Sequence, residues 1–154
     1  MNRKHTNIII KNKLIRRNYL VKKNIHVGIL LLGWEVKSVR KKKIDITKNF
    51  VYIKNNEVYL ENAIFHPCSN VHLEYYKIDR TRKLLLKKKE IIKLFSYINR
   101  KGYTAVIESL FWKKNFIKGN LVIALGKKKY DKRISVKNRE WKIKQKRILK
   151  KFYY

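Results

Sequence analysis

The chain has 154 residues, with 41 Lys+Arg against 10 Asp+Glu and a formal net charge of +31. That length allows one domain with a real core, and 45% hydrophobic residues exclude a chain that is disordered throughout. So large a positive charge repels itself in a compact fold unless phosphates neutralise it, which points to a polyanion, RNA above all, as partner.

Residues 8–10, Ile-Ile-Ile, form a candidate short strand in an otherwise basic start. Residues 19–21 and 25–32 are β-rich and flank a basic break. From Trp34 the spacing turns helical, with Trp34 and Ser38 on one line and Val36 and Val39 on the next, as far as residue 43. Residues 50–53 and 58–60 read as a hairpin around Asn55-Asn56, because asparagine tolerates the positive φ of a two-residue primed turn. Pro67, Ser69 and Asn70 mark a loop. Leu84-Leu-Leu86 lies between Arg80-Thr-Arg82-Lys83 and Lys87-Lys-Lys89. It reads either as a buried strand in solvated charge or as a phosphate-gripping rim.

Residues 88–99 carry Ile91, Phe95 and Ile98 on one helical line, and Gly102 stands where a helix-ending glycine belongs. Residues 104–112 and 121–125 are strands joined through a second hairpin at 113–120. Many short strands with two helices predict a mainly β fold, a small closed antiparallel β-barrel with accessory helices. After Gly126 the pattern changes. From Lys127 to the end there are thirteen Lys or Arg against Asp131 and Glu140, with Ile134, Trp141, Ile148 and Phe152 on one helical line and Leu149 adjoining. So charged a segment with one narrow apolar stripe is expected to be disordered when free and helical when bound. The expected division is a body over residues 1–129 and a basic tail over 130–154.

Chemistry-bearing constellations are scarce. Cys68 is the only cysteine, so no intrachain disulfide can form and a reducing, cytoplasmic setting is expected. His66, Cys68 and His72 match no zinc spacing, and no metal or other cofactor is expected. Glu35, Asp45, Glu57, Glu61, Glu74, Asp79, Glu90 and Glu108 are scattered among many bases and read as structural salt-bridge partners, with no enzymatic pair among them. Nucleotide-binding loops are absent. No stretch approaches the roughly 20 apolar residues of a membrane span, and no membrane partner is expected. Tyr75, Tyr76, Tyr103, Trp112 and Phe116 are interleaved with charge and read as core or as base-stacking residues.

Four blocks, in order, resemble the SmpB family: Gly-Trp-Glu-Val-Lys-Ser-Val-Arg at 33–40, Arg-Thr-Arg-Lys-Leu-Leu-Leu at 80–86, Asn-Arg-Lys-Gly-Tyr-Thr at 99–104, and Gly-Lys-Lys-Lys-Tyr-Asp-Lys-Arg at 126–133. Arg-Glu-Trp at 139–141 also fits, and the resemblance runs from about residue 12 to 150. It implies an oligonucleotide-binding-like barrel that grips the tRNA-like domain of transfer-messenger RNA (tmRNA) in ribosome rescue. It further implies a tail that enters the decoding centre and mRNA channel of the small ribosomal subunit, and an aminoacyl-tRNA-carrying elongation factor as a further partner. By position it implies RNA-binding roles for Asn12, Glu35, Lys37, Leu85, Gly126, Lys127 and Lys128, and for His26, which stands where the family has Glu. Tyr130, Asp131, Lys132 and Arg133 match the motif at the tail root, and Trp141, Ile148 and Leu149 the apolar tail positions. Val27 and Lys77-Ile78 also depart from the family pattern. Composition alone equally suits a structural ribosomal protein or a general RNA-binding protein.

Overall fold

The computed structural model describes residues 7–68 and 77–152. The expected loop positions Ser69 and Asn70, together with His72, Glu74, Tyr75 and Tyr76, lie outside the described residues. The elements are β1 (Asn7–Lys11), α1 (Leu14–Asn18), β2 (Tyr19–Ile29), α2 (Gly33–Arg40), β3 (Ile44–Asp45), β4 (Phe50–Lys54), β5 (Glu57–Glu61), β6 (Ile64–Phe65), β7 (Arg82–Leu85), α3 (Lys88–Ile98), β8 (Tyr103–Lys113), β9 (Phe116–Gly126) and α4 (Lys129–Phe152).

Six strands close a ring in the order β8-β4-β5-β7-β2-β9 and back to β8, every pairing antiparallel. Closure removes the free edges that a strand-rich chain would otherwise expose. The hairpin of β4 and β5 turns at Asn55 and Asn56, with φ of 51° and 59°, as their sequence predicts. Two expectations need correction. Residues 19–29 form one strand rather than two across a basic break, because a bulge between Val21 and Lys23 lets β2 pair along β9 from Tyr19 to Gly28, and residues 30–32 lie beyond its end. The β8–β9 hairpin turns at Lys114 and Asn115, so residues 116–120, too polar and Gly-interrupted to look like strand, pair fully with β8. Gly102 does have positive φ (83°), but it serves the turn into β8, where the Tyr103 amide donates to the Arg100 carbonyl, rather than the end of α3.

The barrel interior holds Val27, Val51, Val58, Leu60, Leu84, Ala105, Ile107, Leu121 and Ile123, all nearly inaccessible. Strands β8 and β9 are apolar on both faces because α1 covers the outer one, seating Ile15 on Val106 and Val122. Along its other edge β8 is shared: β4 pairs at Ala105 and β1 from Ser109 to Trp112. The seam between them is filled by two asparagines. Asn49 donates Nδ2 to the Ile107 carbonyl (3.0 Å) and accepts the Ile107 amide on Oδ1 (2.7 Å), copying a strand neighbour. Asn12 donates Nδ2 to the Ile46 and Thr47 carbonyls (2.9 Å each) and accepts the Leu14 amide. Asn12→Ala strips partners from a site that is 7% exposed, and is expected to lower unfolding free energy by about 1–3 kcal/mol. Denaturant unfolding checks this, and an unchanged midpoint with weakened RNA binding would show that Asn12 instead contacts RNA.

Helix α2 is held by a buried ion centre. Glu35 and Arg82 are both 0% exposed. Glu35 accepts Arg82 Nε at 2.8 Å and Arg80 Nε at 2.9 Å on Oε1, and Arg80 Nη2 at 2.5 Å and the Leu32 amide at 2.7 Å on Oε2. Arg82 donates further to the carbonyls of Ala63, Arg80 and Ile78, and its guanidinium lies over the Phe65 ring at 4.0 Å. Burial lowers the Arg82 pKa, while Glu35 acts to hold it up. These bonds tie α2, β6, β7 and the barrel wall together. The strand Arg82–Leu85 thus takes the buried reading for Arg82, which is closed off from any phosphate.

Candidate nucleic-acid interface

Two carboxylates, Glu35 and Glu108, are buried against arginines, and Glu57, Asp45 and Glu90 are engaged by nearby groups at the surface. Glu108, 2% exposed, sits at the β8 bulge and accepts Arg16 Nε at 2.6 Å and Asn120 Nδ2 at 3.0 Å. Its carboxylate raises the Arg16 pKa by hydrogen bond and charge. Glu57 pairs with Lys83 and accepts the Tyr59 hydroxyl, Asp45 accepts the Thr47 amide and hydroxyl, and Glu90 caps the Lys87 amide. The expectation of salt-bridge partners holds for Glu35, Glu57 and Glu108, whereas Asp45 and Glu90 bond to nearby backbone and hydroxyl groups instead, and Asp45, Glu61, Asp79 and Glu90 form no salt bridge among the described residues.

The residues singled out for RNA separate into three groups. Asn12 and Glu35 are interior and fully engaged, so in this conformation neither can touch a ligand; their role is to hold the surface in shape. A burial argument from sequence could not see this, because polar residues are mostly outside. His26 and Leu85 form the second group, on the outer barrel wall. His26 is exposed and meets the edge of Phe111, with ring centroids 5.0 Å apart. Gly28 stands in register with Leu85 on β7 and with Lys118 on β9. A Cβ at Gly28 would lie 3.1 Å from the Leu85 Cβ, so the glycine lets Leu85 lie across the strand while remaining 53% exposed. Lys118 pairs in turn with Phe111 on β8. The row Leu85, Gly28, Lys118, Phe111 crosses four strands; Phe111 is buried, so the half-buried Lys118 on β9 is the member that sequence reading missed. The glycine inside an apolar strand was the available signal. Next to this row, a polar groove of about 420 Å³ between β2 and α3 is lined by Lys23, Asn24, His26, Glu90 and Lys93.

Gly126, Lys127 and Lys128 make the third group, at the end of β9. The Lys127 amide donates to the Asn18 carbonyl (3.0 Å) and its Nζ to the Arg16 carbonyl (3.1 Å), so Lys127 is a strap for α1 as well as a cation. Gly126 and Lys128 are exposed. Lys37 stands apart, exposed on α2 and turned about 200° around the helix from Glu35. Of the aromatics, Tyr103 and Trp112 pack on the core and Phe116 is 68% exposed.

Helix α4 carries the tail. Tyr130, Trp141, Ile148 and Leu149 are 73%, 60%, 46% and 56% exposed, and Ile134 40%. At 100° per residue, Tyr130, Ile134, Trp141 and Ile148 fall within about 40° of one another. The root leans on α1 through a different face, where Arg133, Val136 and Lys137 adjoin Leu14, Arg17 and Asn18. The apolar stripe is therefore presented outward. Asp131 is exposed, and the side chains of Lys132 and Phe152 lie outside the described ones. Such a surface offers lysines that suit phosphates and exposed apolar side chains that suit stacking or packing. Among the described residues no three His, Cys, Asp or Glu side chains gather as a metal set, and no helix is long and apolar enough to cross a membrane.

Comparison with known proteins places this geometry. A family model described as SmpB protein matches residues 9–151. An SsrA-binding protein of Dichelobacter nodosus (strain VCS1703A) is 40% identical over 153 residues, covering 97% of this chain and 96% of the relative. One from Psychrobacter arcticus (strain DSM 17307 / VKM B-2377 / 273-4) is 41% identical over 151 residues, covering 97% and 95%. A solved structure described as "tmRNA-SmpB: a journey to the center of the bacterial ribosome" superposes with a TM-score of 0.66 at 34% identity, covering 78% of this chain and 85% of that one.

Proposed function

Because this chain belongs to the SmpB family, we propose that it is a tmRNA-binding protein of trans-translation, acting with tmRNA on stalled bacterial ribosomes. The observation that carries the reading is the match to SsrA-binding proteins over 97% of the chain, body and tail together. A structural ribosomal protein or a general RNA-binding protein would share the charge but not this full-length likeness. The role is one of binding and delivery, and the peptide chemistry belongs to the ribosome. An elongation factor carrying the charged tmRNA is the further partner.

In this reading the body, residues 1–129, grips the tRNA-like domain through the outer wall of the barrel, with His26, Leu85, Lys118 and Lys128 in contact and Asn12, Glu35 and Lys127 holding that wall. The tail, residues 130–154, enters the empty decoding centre and mRNA channel. There Tyr130, Trp141, Ile148 and Leu149 find the partner surface they lack in the isolated chain. The helix carries dense like charge, so its stability depends on the RNA that neutralises it. Immunoprecipitation with sequencing of bound RNA tests the function: enrichment of one tRNA-like species supports it, and stoichiometric ribosomal RNA alone overturns it.

The body surface has its own test. Affinity for tmRNA is expected to fall steeply with salt, and Lys118→Ala to make the slope of log K against log salt shallower by roughly 0.7–0.9, one phosphate contact. Binding that is flat between low and physiological salt removes the phosphate-contact model.

A further inference from the structure

The root of α4 and α1 enclose a cleft of about 570 Å³ lined by Leu14, Arg17, Asn18, Arg133, Lys137 and Glu140, a volume in the range of small-ligand sites. We infer that this cleft binds a phosphate of an RNA backbone, and that the bound phosphate sets the direction in which the tail leaves the body. The inference rests on the RNA-binding reading above and adds to it a site that joins the two halves of the chain.

The charges in the cleft are unspent. Arg17, Arg133 and Lys137 are all exposed and form no salt bridge among the described residues, and Glu140, the single carboxylate of the lining, pairs with none of them. The neighbouring Arg16 behaves differently: its guanidinium turns inward to Glu108 at 2.6 Å, which leaves Arg17 as the cation α1 offers to the cleft. Three cations against one carboxylate, supplied by two separate elements, repel one another across the gap. A phosphodiester placed between them turns that repulsion into attraction and offers acceptors to both guanidinium groups. Asn18 adds an amide to the same wall.

The two walls differ in rigidity. Helix α1 is fixed to the barrel by Ile15 (3% exposed) and by both Lys127 hydrogen bonds. Helix α4 meets it with little apolar contact: Leu14 is 43% exposed and Val136 half-buried. A helix of 24 residues is about 36 Å long, so a small rotation at this root swings the far end widely. The phosphate can come from the tRNA-like RNA held by the body or from ribosomal RNA met by the tail.

The test uses the full-length chain and the double variant Arg17→Gln, Lys137→Gln, two exposed changes whose fold is checked by the denaturant midpoint. Binding is titrated against salt in two arms, with a transcript of the tRNA-like domain and with purified small ribosomal subunits. The expected result is a slope shallower by roughly 0.7–0.9, one phosphate contact, in one arm, with Glu140→Gln raising affinity in that same arm. Loss in the transcript arm assigns the phosphate to the tRNA-like RNA, and loss in the subunit arm to ribosomal RNA. Wild-type slopes in both arms overturn the cleft. Failure of the wild-type chain to prefer the transcript over an unrelated hairpin RNA overturns the tmRNA reading instead.

Discussion

Ending the chain after Arg133 is expected to abolish peptide tagging on stalled ribosomes while the body stays folded and keeps most of its hold on tmRNA. The barrel closes through β8 and β9 before Gly126, and of the described α4 side chains only Val136 is even half-buried. Removing residues 134–154 therefore takes almost no packing from the body, and the unfolding midpoint should barely move. RNA affinity should fall by no more than the one phosphate contact that Lys137 supplies. Tagging should be lost because Ile134, Trp141, Ile148 and Leu149 go with the tail, and these are the exposed apolar groups for which the body has no use. Trp141→Ala should give a milder form of the same split, since it removes a large stacking surface 60% exposed in the free chain. The paired measurement is affinity by titration and tagging on stalled ribosomes. Full tagging without the tail, or loss of tmRNA binding in the truncated chain, would refute the division of labour.

Glu35→Ala should have a large effect of another kind. It leaves the Arg82 guanidinium, itself 0% exposed, without its counter-charge, and frees Arg80 and the Leu32 amide. Breaking a buried pair from one side costs about 3–5 kcal/mol, a large share of the 5–15 kcal/mol that holds a typical domain together. The expected outcome is a much lower denaturant midpoint, with RNA binding lost in proportion to unfolding. If Glu35 contacted RNA directly, the midpoint would stay and affinity alone would drop. Glu35→Gln separates the cases further: it keeps the shape and one carbonyl acceptor but not the charge, so it should lie between wild type and Ala in stability.

Local pattern carried much of this. The helical spacing of α2 and α3, the Asn55-Asn56 turn and the abrupt change of character after Gly126 are each written within a dozen residues, because turn chemistry and amphipathic period act over that range. The ordered blocks from 33–40 to 126–133 carried the family likeness before any coordinates. The apolar stripe of α4 was equally plain from the positions of Ile134, Trp141 and Ile148.

The placement of the interface was a different matter. Glu35 meets Arg80 and Arg82 across more than forty residues, and Arg16 meets Glu108 across ninety-two. Nothing local marks a charged residue as interior, since burial of a charge is decided by the partner that compensates it. Nothing local marks Asn12 or Asn49 as buried; the seam along β8 is what gives their donors and acceptors a use. Lys118 joined His26 and Leu85 only through register, which sets neighbours across strands that are remote in sequence. By itself the sequence determined the chain's class of partner, its barrel-and-tail plan and its family, because those follow from composition, period and ordered motifs. Which cations face solvent, which carboxylates are silenced inside, and the cleft where α1 meets α4 were decided by the tertiary structure alone, because charge acts through distance in space and not along the chain.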